Sequence, residues 1–425
     1  MAQKIILASI GSLGDLHPFI AIAQDLQARG HAVILAVSED QVEKVRSAGL
    51  LAHPILPTSD AMNQTLEMSS AEVTQKMMDD LNFVVENVML RFLNHGVAAL
   101  DEIAADAQAI VGTIMTLPAA IIAEKHAIPY VSAALQPMTL PTVYDAPRTP
   151  EYWMLASQNQ GKLGRVWNRL WMPIIRAETK RRFAKPINAV RQDFGLPPLK
   201  RAPLLELEVD PVATLALYSQ HFAPLQPDHP ETTSQTGFAM FDSQTGMPHP
   251  LDDDIQSFLE AGAPPIVFSL GSFAVNLSGD FYRLSHAIAE RLGERAILLT
   301  GSASSLASNA NILVREYAPY SQLFPKSKLI VHHGGVGTTA QAMQAGVPQL
   351  IVPHLGDQWD NGARITSLGL GGTLPVKSYT VDTACDLIRD LLSDSVLSAN
   401  AIRVASALRE ERGAKLAADA IEAAL

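Results

Sequence analysis

The opening alternation limits the fold more than any other feature. Ile5-Ile6-Leu7-Ala8-Ser9-Ile10 is a continuous apolar run, as expected of a strand covered by helices on both faces. Gly11-Ser12-Leu13-Gly14-Asp15 reads as a turn, and Pro18 as a first helical residue that needs no amide partner. Phe19, Ile20, Ile22, Ala23 and Leu26 recur at helical spacing up to Gly30; Val33 to Val37 reads as a second strand, then comes a helix to Gly49 and a strand near Ala52 to Leu56. This strand–helix–strand–helix–strand start predicts a doubly wound α/β domain.

Beyond it, 61–100 is helical and rich in Met, Ala109 to Gly112 and Tyr130 to Ala133 read as strands, and 146–198 is helical but irregular. Residues 222–250 are rich in Pro, Gly, Ser and Thr and read as a linker. Alternation then restarts, with strands at Ile266 to Leu270, Ala296 to Thr300, Ile312 to Arg315, Leu329 to Val331, Gln349 to Val352 and Gly372 to Leu374. One last helix spans Val396 to Leu425. The expected architecture is two doubly wound, Rossmann-like domains facing a cleft. Its parts are 1–230, a linker region 231–262, a second domain 263–400, and a C-terminal helix 401–425 that can return to the first domain.

Composition narrows the partners. The 425 residues are 48% apolar and 18% charged, which argues against wholesale disorder. A net charge of −11 argues against nucleic acid as a partner. The single cysteine, Cys385, reads as a small packing residue. No apolar run is long enough for a signal-peptide core or a membrane span, so a cytoplasmic protein is expected.

The segment from His332 to Thr339 sits between a buried strand and a helix. Gly334, Gly335 and Gly337 let a backbone approach a ligand closely. The helix that follows offers free amides and a positive dipole end to an anion such as a diphosphate. Taken alone, the segment reads equally well as an empty tight turn. Two histidines without a third ligand at a recognised spacing give no metal site. Downstream, Asp357 and Gln358 at a strand's carboxyl end can hold vicinal hydroxyls of a sugar, although Asp357 also reads as a helix N-cap.

Tyr317-Ala318-Pro319, His333-x-Gly-x-Gly-Thr-Thr, Ala345-Gly346-Val347-Pro348 and Asp357-Gln358, in that order over about forty residues, resemble the donor-binding signature of the nucleotide-sugar glycosyltransferases built from two Rossmann-like domains. That resemblance implies the GT-B fold and hexosyl transfer without a metal or other cofactor. The donor would be a dTDP- or UDP-linked sugar. It places Tyr317 on the nucleobase and the Ala318 backbone at its edge. It puts His333, Gly335 and the amides of Gly337, Thr338 and Thr339 at the diphosphate, and Asp357 and Gln358 at the sugar. Ser269-Leu270-Gly271-Ser272 is similar to the family's small loop near the diphosphate, which assigns Ser272 to the donor. Two positions depart from the pattern. Gln341 stands where a glutamate usually grips the ribose, and Tyr320 replaces the glutamine that plant members carry.

In the first domain, Gly11-Ser12-Leu13-Gly14-Asp15-Leu16-His17-Pro18 lacks the spacing of a nicotinamide-binding turn. Asp15 aligns with the catalytic residue of the family's bacterial Gly-Asp-x-x-Pro subgroup, where plant members have histidine. Free aspartate, with a pKa of about 3.9, is a weak base against an alcohol, and His17 two residues on is better matched. Burial would raise the aspartate's pKa, and the resemblance favours Asp15 as the expected base, with His17 as its rival or helper.

Segments from Phe222 to Asp228, Thr236 to Asp242 and Leu251 to Leu259, with Ile187 to Arg191, are similar to the rhamnosyltransferases of rhamnolipid synthesis. This implies rhamnosyl or glucosyl transfer to a hydroxyl of a hydrophobic small molecule or lipid. Glycosylation of aromatic or polyketide natural products from a UDP sugar is the alternative, and a nucleotide-sugar epimerase the more distant one. The stretch 164–182 alternates Trp167, Leu170, Trp171, Ile174 and Ile175 with arginines and a lysine. It reads first as a helix over the acceptor pocket with a solvated basic face; peripheral membrane contact is the other reading.

Overall fold

A computed structural model describes residues 2–156, 161–243, 245–247, 249–274, 279–301 and 306–425. The parts of the expected helical stretch and linker that fall at 157–160, 244 and 248 lie outside the described residues. The chain divides into two compact units, Met1–Gly11 with Asp15–Phe241 and Arg412–Leu425, and Ser12–Gly14 with Asp242–Glu411.

The first unit is built on seven parallel strands: β1 (Lys4–Ala8), β2 (Ala32–Ser38), β3 (Leu51–Leu56), β4 (Ala109–Gly112), β5 (Tyr130–Ala134), β6 (Ala213–Ala216) and β7 (Thr233–Gln235). Their order is β3-β2-β1-β4-β5-β6-β7. The second unit has β8 (Ile266–Ser269), β9 (Ala296–Leu299), β10 (Ile312–Arg315), β11 (Leu329–His332), β12 (Gln349–Ile351) and β13 (Gly371–Thr373), ordered β10-β9-β8-β11-β12-β13 and also all parallel. In both sheets the strand order reverses beside the first strand, between β1 and β4 and between β8 and β11. In open α/β sheets a ligand crevice forms outside the carboxyl ends of the strands at such a reversal.

Why these runs make strands follows from their two faces. Ile266, Phe268, Leu329 and Val331 bury into one cluster, while Val267 and Ile330 bury into another on the opposite face. Each fully buried side chain of this size contributes about 1.5–3 kcal/mol. Cys385 belongs to the first cluster and acts as a packing residue. No helix among the described residues is long and apolar enough to cross a membrane.

Several local expectations are corrected. Helix α1 (Leu13–Ala28) starts five residues before Pro18, so Asp15 and His17 stand on its opening turns rather than in a loop. Pro18 lies inside the helix as its sixth residue, where it can donate no bond to the Gly14 carbonyl. The expected linker contains the edge strand β7, which pairs with β6, and a helix at Asp253–Glu260. The irregular 146–198 stretch holds one long helix, α2 (Gly161–Asp193), despite Pro173 and Pro186.

The single terminal helix is in fact two. They follow two helices of the second unit, α3 (Val336–Ala345) and α4 (Asp357–Ser367). The terminal pair is α5 (Ser395–Glu410) and α6 (Gly413–Ala423). A Cβ on Gly413 would lie 2.3 Å from the Phe238 carbonyl oxygen, so glycine at the break lets α6 pack against that backbone. Arg29 then binds Asp419 and Glu422, both at 2.6 Å, and His31 binds Glu422 at 2.8 Å, tying α6 to the first unit.

Candidate functional site

In the second unit the reversal point lies between Ser269 and His332, which face each other in register. The backbone turns sharply beyond both. Gly271 (φ +67°) and Gly334 (φ +95°) adopt the left-handed region that favours glycine. A Cβ on Gly334 would lie 2.6 Å from Ile351 Cγ2.

His333 fills the space that the neighbouring glycines leave. A Cβ on Gly271 would lie 2.6 Å from its Cε1, and one on Gly335 would lie 2.4 Å from its Nε2. The ring is buried, and its Nδ1 has no hydrogen-bond partner among the described residues. Burial holds its pKa well below 6.5, with repulsion from His332 and His354 acting the same way. The imidazole is therefore neutral near pH 7 and offers a hydrogen bond rather than a charge. A buried ring nitrogen without a partner costs about 1–3 kcal/mol, which a ligand oxygen would relieve.

Helix α3 begins on this turn with Gly335 as N-cap, and no side chain caps it. The amides of Val336, Gly337 and Thr338 are the ones α-helical geometry leaves without an internal partner. Thr339 departs from expectation: both its amide and its hydroxyl bond the Gly335 carbonyl at 3.0 Å. As the fourth helical residue, its N–H reaches back to the cap and does not point outward. Thr338 and Gln341 are buried on the same helix.

His332 has a supporting role. Its Nδ1 accepts the Gly334 N–H at 3.1 Å, so Nε2 carries the proton and donates to Gln349 Oε1 at 2.9 Å. Burial pushes its pKa down to about 4. The unfolded chain titrates near 6.5 and so binds the extra proton in between. Stability is then fully present above about pH 6.5. It falls toward pH 4 by about 1.4 kcal/mol per pH unit for this one group. Urea midpoints at pH 7 and pH 5 should show this loss, and His332→Gln should lessen it, the buried His333 contributing in the same direction; a wild-type midpoint unchanged across that range would contradict it.

Asp357 is the first residue of α4, after Gly356, and its Oδ2 accepts from Asn361 Nδ2 at 2.9 Å. The same amide donates to the Gly334 carbonyl at 2.9 Å. Asn361 thus locks α4 to the glycine turn. Gln358 is buried, and its Oε1 accepts the amides of His354 (2.8 Å) and Leu355 (3.2 Å), so that oxygen shapes the loop. A buried Asp360–Arg364 pair at 2.8 Å stiffens the next turn.

On the other side of β8, Tyr317 is half-buried and donates its hydroxyl to Asp242 at 3.4 Å, while Ala318 packs into the core. Asp242 also accepts the Ser321 amide at 2.7 Å. Tyr320 stacks on Phe324 at 4.4 Å and shares a 2.6 Å hydrogen bond with Ser269. Ser269 in turn accepts the Gly271 amide at 3.2 Å. Burial pushes the Tyr320 phenol up to about 12, so it stays neutral and hydrogen-bonding. Ser272 is exposed on the turn that follows.

In the first unit, Gly11 (φ +136°) follows β1, and a Cβ there would lie 2.3 Å from Asp15 Oδ2. The turn is held by Gln41 Nε2 on the Gly11 carbonyl at 2.8 Å. Asp15 and His17 are both half-buried. Helix residues two apart do not share a face. His17 instead sets its ring edge-on to Phe241, at 5.3 Å.

Asn361, Gln349 and Asp242 were not singled out as ligand-site residues from the sequence, and Ser269 entered only as the first residue of the loop that ends at Ser272. Only Asn361 carried a local signal, its position one helical turn after Asp357. Among the described residues no group of three or more His, Cys, Asp or Glu side chains could hold a metal ion.

Residues 5–145 match the glycosyltransferase family 28 N-terminal domain, and residues 291–421 match the C-terminal domain of erythromycin biosynthesis protein CIII-like proteins. Over 422 residues the chain is 28% identical to O-mycaminosyltylonolide 6-deoxyallosyltransferase of Streptomyces fradiae, covering 99% of this chain and 97% of that one. It is similar in fold to the glycotransferase of kitacinnamycin, with a TM-score of 0.71 at 20% identity over 100% of both chains. The glycosyltransferase VinC in complex with dTDP gives 0.69 at 18%, over 99% of each.

Proposed function

We propose, on the premise that this chain is a glycosyltransferase of the GT-B fold within the UDP-glycosyltransferase superfamily, that it transfers a hexosyl group from a nucleoside diphosphate sugar to a hydroxyl of a hydrophobic small molecule. The observation that carries this reading is the reversal point of the second sheet. There a buried His333, whose Nδ1 has no partner among the described residues, stands beside the uncapped amides of α3.

The chemistry follows from those groups. The acceptor oxygen gives its proton to Asp15 and attacks the anomeric carbon, while the bond from that carbon to the diphosphate oxygen breaks with inversion. Negative charge grows on the diphosphate. The α3 amides, its dipole end and His333 stabilise it; a single preorganised donor of this kind accounts for about 10²–10³ in rate. Asp357 is the sugar-hydroxyl contact; Gln358 supports its loop. Tyr317 and the Ala318 backbone take the nucleobase, and Tyr320, bonded to Ser269, borders the diphosphate turn.

The transferases similar in sequence and fold favour a natural-product acceptor, and a deoxyhexose on dTDP is the leading donor. Rhamnosyl transfer to a hydroxylated lipid is the second reading, favoured by the exposed apolar face of α2. Incubation with dTDP- and UDP-linked glucose and rhamnose, each against macrolide aglycones, phenols and hydroxy fatty acids, separates these outcomes by mass spectrometry. A glycosylated aglycone supports the first reading and a glycosylated fatty acid the second. No product from any pairing would contradict both.

A further inference from the structure

The first half of α2 has three stripes. Gly164, Asn168 and Met172 are buried, and Asn168 bonds both the amide (2.7 Å) and the carbonyl (3.0 Å) of Ala156. Lys162, Arg165, Arg169 and Arg176 form the second stripe at spacings of three, four and seven. Leu163, Val166, Trp167, Leu170 and Ile174 form the third, and it faces outward: Leu163 is 83% exposed and Leu170 64%. Trp167 donates its indole N–H to the Met154 carbonyl at 2.8 Å, which brings in Trp153, 79% exposed. An amphipathic helix ordinarily turns its apolar stripe inward. A contiguous exposed apolar stripe on a folded unit marks a contact surface.

Charge identifies the contact. Residues 162–185 carry eight basic side chains and one acidic, in a chain of net charge −11. Farther along, Arg176, Arg181 and Arg182 are ion-paired with Glu206, Glu178 and Glu86. Lys162 and Arg169, beside the apolar stripe, are exposed and enter no ion pair among the described residues. Arg165 lies over the Tyr144 ring. An acidic protein is repelled by an anionic bilayer unless the touching face carries its own positive charge. Here that charge lies next to the apolar stripe. The stripe runs about 16 Å along the helix, and two exposed tryptophans suit the headgroup level.

We propose that the Leu163–Ile174 face of α2, with Trp153, docks this protein on an anionic lipid surface. The helix lies in the interfacial plane, its leucines and isoleucine inserted and Lys162 and Arg169 at the lipid phosphates. This holds whatever the acceptor is.

Sedimentation of the full chain with phosphatidylglycerol-containing vesicles tests it, against phosphatidylcholine alone and in about 0.5 M salt, where charges are screened beyond roughly 4 Å. Binding should require the anionic lipid and fall steeply with salt. Lys162→Gln with Arg169→Gln should weaken it about thirtyfold, five- to sixfold per lost cation. Leu170→Glu with Ile174→Glu should abolish it, with an unchanged circular-dichroism melt showing that the fold persists. Should the glutamate pair fail to fold, the glutamine pair carries the test. Failure of the wild type to sediment with anionic vesicles would overturn the proposal, as would unaltered binding by the glutamine pair. A dimer in analytical ultracentrifugation that the glutamate pair dissolves would also overturn it, because a second copy would then cover the face.

Discussion

Replacing Asp15 by asparagine is expected to lower kcat roughly 10²–10⁴-fold while leaving nucleoside diphosphate affinity and the melting temperature near wild type. Asparagine keeps the shape of the side chain that Gly11 makes room for, so the Gly11 turn and the start of α1 remain. What it loses is the capacity to take a proton from the acceptor hydroxyl. Single-turnover kinetics with saturating donor, beside calorimetric titration of the diphosphate, separate the two effects. His17→Gln should cost far less, because His17 packs on Phe241 and does not share a helix face with Asp15. Near-normal turnover by Asp15→Asn with a large loss in His17→Gln would transfer the role to the histidine.

Gly335→Ala should weaken nucleoside diphosphate binding about 10–100-fold, the loss of one hydrogen bond to a charged group. The backbone at Gly335 (φ −59°, ψ 142°) is open to alanine, so the effect is steric. The new methyl would sit 2.4 Å from His333 Nε2, and the Gly271 backbone blocks retreat on the other side. A double-mutant cycle sharpens this. Once His333→Ala has removed the ring, Gly335→Ala should add almost nothing, since both act on one group. Equal and additive losses would mean that the glycine serves the backbone alone. Calorimetry with UDP and dTDP reads all four corners, and unimpaired binding by Gly335→Ala would remove His333 from the diphosphate.

Most of the sheets were legible because a strand buried on both faces leaves a continuous apolar run. Ala109–Gly112 and Ile312–Arg315 fall where the pattern places them. β7 was not legible: Thr-Ser-Gln has no apolar signature and becomes a strand only by adding to the edge of β6. The break between α5 and α6 depends on Gly413 meeting the Phe238 carbonyl, a contact across 175 residues of chain.

The candidate site divides in the same way. Its glycines and histidines are contiguous and stand out in the text. Their supports do not: Gln349 on His332, Asp242 on Tyr317 and Ser269 on Tyr320 join residues far apart in sequence. Thr339 misled because the motif marks where the helix begins without showing which amide is its fourth.

Acceptor-dependent sugar transfer is read out by measuring glycoside and nucleoside diphosphate together, with the product's anomeric configuration determined by NMR. One diphosphate should be released per glycoside formed, with an inverted anomeric centre and no turnover of donor to an isomer when the acceptor is left out. An isomerised nucleotide sugar appearing without acceptor, or a glycoside with retained configuration, would contradict it.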